Sequence, residues 1–293
     1  MTPSPDTTRP GFSVIAAIGG LLVGIGAVIL AFVLFMVFGT ALIQGSHQQS
    51  LRTEFERVFP APGHTAPGPP RTVAAATPPP LGAPVAQIQI PAISLNMIVV
   101  QGTSEPDLEQ GPGHYVGTPL PGEPGNVAIA GHRTTWARPF YNANELVPGD
   151  PIVMTTNRGV FTYSVRRVFA VDPSDVSVLD PTTTPSLTLT TCNPRYSASQ
   201  RLIIRAVLTG SSVTPITKVR TITHYTVIVS QRRPSPWPAI ALGIATILAV
   251  IGTIIAFRRP SHAWLVTTIG GIATVVLLFA TFAYLAPLLP PNL

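Results

Sequence analysis

From Gly11 to Ile43 the chain carries no charged side chain. About 20 apolar residues in a helix cross a bilayer core, and a helix pairs all its own backbone groups, as lipid demands. A cleaved leader has an apolar region of only roughly 7–15 residues. The stretch therefore reads as a retained anchor, a transmembrane helix over residues 11–43 with residues 1–10 as a cytoplasmic tail. Two more apolar runs, Trp237–Phe257 and Trp264–Ala286, are split by Arg258-Arg259-Pro260-Ser261-His262. Each is long enough to span, and the tight link predicts an antiparallel pair of transmembrane helices over 237–257 and 264–286. Trp237, Trp264 and Tyr284 fall near the interfaces. Arg258-Arg259 favours a cytoplasmic link, although Arg232-Arg233 at the other end of that helix opposes it. The orientation adopted has the link and the N-terminus inside and the central segment outside.

Between the anchors the composition changes twice. Residues 44–85 pass from a short polar piece around Arg52, Glu54, Glu56 and Arg57 into Pro60, Pro62, Pro67, Pro69-Pro70 and Pro78-Pro79-Pro80. Such a stretch buries too little apolar surface to order itself and reads as an extended extracellular linker. His64 within it is a solvated side chain. Residues 213–236 form a polar connector holding Lys218, the only lysine of the chain, with Arg220 and His224.

Residues 86–212 are different. Short β-type runs separated by Gly/Pro turns occur at Ala86–Ile90, Leu95–Val100, Asn126–Ala130, Pro151–Thr155, Val160–Val171, Leu187–Cys192 and Arg201–Leu208. Seven or eight strands in such a length predict a mainly β fold, a closed or nearly closed barrel. Short helices are expected over Pro106–Gln110 and Pro139–Leu146. Asp172 and Asp175 read as turn or capping groups for one more.

The net charge of +6 is carried by scattered arginines. They form no basic stripe interleaved with aromatics, so nucleic acid is not an expected partner. An anionic cell surface suits a modest positive charge. One cysteine, Cys192, excludes an internal disulfide and any cysteine-based zinc site. No cluster of acidic ligands points to calcium, and no cofactor is expected.

Cys192 ends the alternating run Thr188-Leu189-Thr190-Thr191-Cys192. Leu187, Leu189 and Thr191 fall on one face and Thr188, Thr190 and Cys192 on the other. Asn193-Pro194 stops the strand, because proline has no amide hydrogen for the ladder. A lone cysteine is most often a small buried hydrophobe. At a strand end, however, a thiol is both accessible and rigidly aimed. Arg201 opens the next strand, and antiparallel pairing would bring a guanidinium beside that thiol, to lower its pKa and hold an oxyanion. Arg195 is the rival cation, on a less fixed loop. The strand Gly125–Gly131 delivers His132 at its end, in Ala130-Gly131-His132-Arg133. Its mildest reading is a strand-end histidine bonded to a carbonyl. His114, in Gly113-His114-Tyr115, reads as a structural group in a turn.

Taken together, these motifs resemble the sortases, the membrane-anchored cysteine transpeptidases of Gram-positive bacteria. Thr188-Leu189-Thr190-Thr191-Cys192 matches their Thr-Leu-x-Thr-Cys signature, with Arg201 at the start of the following strand. Ala130-Gly131-His132-Arg133 matches their histidine motif. The Gly122-Glu123-Pro124-Gly125-Asn126 and Pro148-Gly149-Asp150 turns also fit. Cys192-Asn193-Pro194 and His132-Arg133-Thr134-Thr135 look most like class E of the high-GC actinobacteria. The C-terminal pair of apolar helices departs from a minimal class E enzyme.

The resemblance implies an eight-stranded sortase-type β-barrel with short helices over 86–212. In it Cys192 would be the nucleophile, His132 the general acid/base and Arg201 the substrate and oxyanion stabiliser. The expected reaction cuts a Leu-Pro-x-Thr-Gly or Leu-Ala-x-Thr-Gly sorting signal between Thr and Gly. The expected partners are secreted proteins with a C-terminal sorting signal, a peptidoglycan-precursor amine as acceptor, and the membrane. Thr190, Thr191, Tyr163 and Tyr196 are candidate substrate contacts, although β-propensity alone also puts threonine in strands and a rim tyrosine needs no function. A pilin-polymerising sortase is the nearest alternative, but no acidic-aromatic lid anchor precedes Ala86. A silent scaffold barrel is the other; it would be expected to have lost the thiol, the imidazole or the guanidinium.

Overall fold

The computed structural model describes residues 14–58, 79–213, 235–257 and 263–288. The tail 1–10, residues 59–78 of the linker with His64, most of the connector, and the link 258–262 lie outside the described residues.

Eight strands close a barrel: β1 (Pro84–Ile90), β2 (Leu95–Gln101), β3 (Gly113–His114), β4 (Asn126–Ala130), β5 (Pro151–Thr156), β6 (Gly159–Val171), β7 (Ser186–Asn193) and β8 (Gln200–Val213). Around the ring the order is β1-β2-β3-β4-β7-β8-β6-β5. Closure removes all but a short stretch of open edge, on β2 beyond the short β3, and every strand can send alternate side chains inward. Ile88, Ile152, Met154, Phe161, Tyr163, Leu187, Leu189 and Ile204 fill the interior. Two pairs in the ring are parallel, β2 with β3 and β4 with β7. Parallel strands are ordinarily covered on both faces, and here a turn of 3₁₀ helix at Val176–Leu179 covers the second. Its Val178 and Leu179 pack on Ala128 and Ile203 outside the barrel.

Asp175 caps that turn, its carboxylate accepting from the Ser177 amide at 3.1 Å. Helix α3 (Glu105–Leu108) forms close to its expected place. Over Pro139–Leu146 only the 3₁₀ turn Ala143–Glu145 forms. His114 lies in β3, not a turn. Its Nδ1 meets Gln101 Oε1 at 2.9 Å, and Nε2 faces the Pro119 carbonyl at 2.9 Å and Thr118 Oγ1 at 3.0 Å.

The N-terminal helix corrects the linker reading at its start. Helix α1 (Val14–Leu34) passes through a π-helical turn, Phe35–Gly39, into α2 (Thr40–Val58), so residues 44–58 are helical. They are held because Leu51 and Phe55 pack on Ile98 and Val100 of β2. Gln48 also acts as a strand surrogate: Oε1 accepts from the Ile98 amide at 2.7 Å, while Nε2 donates to the carbonyls of Ile98 at 3.0 Å and Gln110 at 2.8 Å. Those β2 groups have no partner in the two-residue β3.

At the other end lie α4 (Trp237–Phe257) and α5 (Ala263–Leu285). Among the described residues, two helices are long and apolar enough to cross a membrane, within Leu22–Arg57 and Thr268–Leu285. Trp237–Thr253 is a shorter apolar helix beside them. Thr246 and Thr281 meet at 3.2 Å between α4 and α5, hydroxyl to hydroxyl.

Candidate active site

The parallel pair β4/β7 builds the site. Ala130 is in register with Thr190, and the Gly131 amide donates to the Thr190 carbonyl at 3.1 Å. Both strands run the same way, so the residues two positions on, His132 and Cys192, emerge at the same rim. Across the antiparallel β7/β8 ladder, Cys192 stands opposite Arg201. The three residues singled out from sequence thereby fall at the same end of three adjacent strands, His132 two positions past β4.

Gly131 is required where it stands: a Cβ there would lie 2.6 Å from the Phe140 ring. The next residue, His132, has its Nε2 enclosed without a hydrogen-bond partner. Burial holds the imidazole neutral, its pKa lowered to about 4. The Cys192 thiol is half-buried. Burial pushes its pKa up, while the cations of Arg201 and then Arg133 pull it back. In the resting protein at neutral pH, thiol and imidazole are thus both uncharged.

Arg201 donates from Nη1 to the carbonyls of Ala198 at 3.0 Å and Gln200 at 3.2 Å. Its rival Arg195 is committed elsewhere. Its guanidinium lies over the Tyr141 ring at 4.1 Å and donates to the Tyr141 carbonyl and to Asn142, Asn144 and Glu145.

The four secondary candidates separate. Thr191 donates its hydroxyl to the Gly131 carbonyl at 2.8 Å, so it ties the histidine strand to the cysteine strand. Thr190 is buried with its hydroxyl 3.1 Å from the Tyr115 hydroxyl. Tyr163 is fully buried in the core, its oxygen accepting from the Gly122 amide at 2.9 Å, and has no surface to offer a peptide. Tyr196, at 65% exposed, stands on the loop past Cys192.

Three residues of the site were not singled out from sequence. Tyr115 reaches the Cys192 rim through Thr190. Arg133 is 4% exposed; Nη1 donates to the Cys192 carbonyl at 2.9 Å and Asn193 Oδ1 at 2.8 Å, and Nη2 to Asn144 Oδ1 at 2.9 Å. Asn144 accepts from both Arg133 and Arg195. Position beside His132 was the available signal for Arg133; Asn144 had none.

A family profile described as Sortase domain matches residues 88–209. Sortase SrtE1 of Streptomyces coelicolor is 32% identical over 67% of this chain and 58% of its own length. Sortase D of Bacillus subtilis is 34% identical over 43% of this chain and 63% of its own length. The chain thus spans less than two thirds of either relative. The solved structure of a Clostridium perfringens sortase D5 transpeptidase is similar at 31% identity and a TM-score of 0.48, over 56% of this chain and 99% of that one. With the barrel, the strand-end thiol and the matched profile together, this chain belongs to the sortase family of cysteine transpeptidases.

Proposed function

We propose that this chain is a membrane-anchored sortase that cuts a Leu-Ala-x-Thr-Gly- or Leu-Pro-x-Thr-Gly-like signal between Thr and Gly and passes the protein to a cell-wall amine. The register that sets Cys192 opposite Arg201, one strand from His132, is the observation that carries it. On this reading all three apolar helices span, and the barrel lies outside the cell. Similarity to SrtE1 favours class E.

The chemistry follows from the charges. Binding places the Thr carbonyl between Cys192 and Arg201. The thiol proton moves to His132 Nε2 as Sγ attacks the carbonyl carbon. The oxyanion forms beside the Arg201 guanidinium, a donor fixed before the reaction begins. Collapse breaks the C–N bond, and His132 returns the proton to the leaving glycine amine. The thioester on Cys192 then takes an incoming amine, whose proton His132 accepts and hands back to the sulfur. Arginine keeps its proton at working pH, so Arg201 supplies charge and orientation only. Thr190 and Thr191 back the groove from within the strands, and Tyr196, the exposed one of the four, meets the peptide.

The test uses the full chain in detergent micelles with both signal peptides and a diglycine amine. Mass spectrometry should find a thioester on Cys192 and a Thr–amine product, both absent from Cys192→Ala. Hydrolysis or transfer that persists in Cys192→Ala would refute the reading.

A further inference from the structure

The loop after His132 has an uncommon backbone. Trp136, Ala137 and Arg138 are three consecutive non-glycine residues with positive φ, at 51°, 53° and 53°. The left-handed region costs an L-residue roughly 1–2 kcal/mol and is usually visited singly. A run of three persists only where the surroundings over-determine it.

The surroundings here are the apolar helices. Trp136 is 5% exposed and packs with Phe35, Phe282 and Ala286. Its amide donates to Thr40 Oγ1 at 3.3 Å, and that hydroxyl in turn donates to the Met36 carbonyl at 2.7 Å. The seat is shaped by the π-helical turn Phe35–Gly39, a local widening often found at functional sites. The Phe35 ring occupies the space a Cβ on Gly39 would need, 2.5 Å away. It meets Phe279 of α5 edge to face at 5.0 Å between centroids, and Phe282 tilted at 5.7 Å. Trp136 thus sits between the N-terminal helix and the second C-terminal helix.

The far end of the loop closes on the histidine. The Arg138 amide donates to the Thr135 carbonyl at 3.0 Å, and the Phe140 amide to the His132 carbonyl at 3.2 Å. Phe140 is fully buried, with its ring against Gly131. A displacement of Trp136 is therefore passed to the backbone that aims His132.

We propose that Trp136 is a positioning residue: seated between α5 and the α1/α2 helix, it fixes the loop that points His132 at Cys192. The inference rests on the transpeptidase reading above and gives the C-terminal helix pair a task, to complete the seat.

The test compares full-length wild type, Trp136→Ala, Trp136→Phe, Phe282→Ala and the double Ala variant in micelles. Transfer kinetics are read beside hydrogen exchange at the Arg138 and Phe140 amides. Each single Ala variant should lower kcat about tenfold, as expected for a small misplacement of a catalytic group. Peptide KM should stay within about twofold, since uniform binding is untouched. Trp136→Phe should recover most of the rate. The double variant should be no slower than the slower single, because one shared contact is lost once. Both amides should exchange faster in Phe282→Ala, whose substitution lies outside the barrel. Unchanged kcat in both single variants, a loss confined to KM, or multiplying losses in the double would overturn the proposal. A wild type without turnover would refute the transpeptidase reading instead. The exchange arm would still decide the seat, and unchanged exchange in Phe282→Ala would overturn it.

Discussion

Arg133 Nη1 donates to the backbone carbonyl of Cys192 at 2.9 Å, so the residue beside the histidine grips the residue that carries the thiol. The same nitrogen holds Asn193 Oδ1, and Nη2 holds Asn144. One planar guanidinium thereby ties together three segments. Lysine, with a single compact charge, cannot reproduce that span. Both Arg133→Gln and Arg133→Lys should cut kcat by about tenfold or more, the loss associated with misaligned reacting groups. Steady-state kinetics would check this, and full activity in Arg133→Lys would show that charge alone suffices.

The thiol itself is accessible to a chemical probe. Burial raises its pKa, and Arg201 opposes that more strongly than Arg133. Iodoacetamide labelling of Cys192 should therefore climb with pH past the usual thiol range of about 8.5. Arg201→Gln should move the profile to still higher pH and slow labelling at pH 8 several-fold, with Arg133→Gln having the smaller effect. An unmoved profile in Arg201→Gln would remove the guanidinium from the thiol's surroundings.

His114 makes a prediction about stability rather than rate. Burial lowers its pKa to about 4, well below the ordinary histidine value of about 6.5. The unfolded chain takes the proton first, so the folded state is favoured fully above about pH 6.5 and loses that advantage as pH falls towards 4. His132 adds to the same slope. Denaturant melts of His114→Gln between pH 4 and 7 should show a flatter dependence than wild type. An identical slope would mean that His114 does not titrate with unfolding.

The two tyrosines should part in opposite directions. Tyr163→Phe strands the Gly122 amide, which costs about 1–3 kcal/mol when a buried donor loses its partner, with peptide KM unchanged. Tyr196→Ala should leave the melting temperature alone and raise peptide KM severalfold. A raised KM in Tyr163→Phe without loss of stability would reverse the assignment.

On the helix, Gln48→Ala leaves the Ile98 amide and carbonyl of β2 without their side-chain partner. A loss of about 1–3 kcal/mol in the unfolding free energy is expected. Leu51→Ala, which opens a cavity against β2, should cost about 2–5 kcal/mol. Thermal melts of the full chain would measure both, and neutral effects would mean that α2 does not brace the barrel.

The barrel was legible because its strands alternate and are punctuated by Gly/Pro turns. Only β3 escaped, since two residues carry no period. The order of Thr188–Cys192 and Arg201 was enough to foresee their pairing, because a short loop between two strands leaves an antiparallel ladder as the simple solution. Tyr163 shows an error that the sequence itself contained the means to avoid. Phe161, Tyr163 and Val165 share one face at a period of two, and that face is the core. Residues 44–58 were hidden by polarity. Gln44, Gln48, Leu51 and Phe55 follow helical spacing, but two of the four are glutamines, so a hydrophobic count misses a face that docks partly by hydrogen bonds. The seat of Trp136 joins residues far apart in the chain through tertiary packing alone, and no local pattern announces it.

The parallel pairing of β4 with β7 has a consequence in time. Ala130 and Thr190 face each other across sixty positions of chain, whereas β5 and β6 meet through a two-residue turn. Long-range closure is slow compared with local hairpins, because the chain entropy is lost before the contacts repay it. Thiol and imidazole therefore come together only after translation has passed Cys192 and the ring has shut. A half-made chain carries its thiol and imidazole unassembled, and the site does not exist until β7 and β8 have joined the ring.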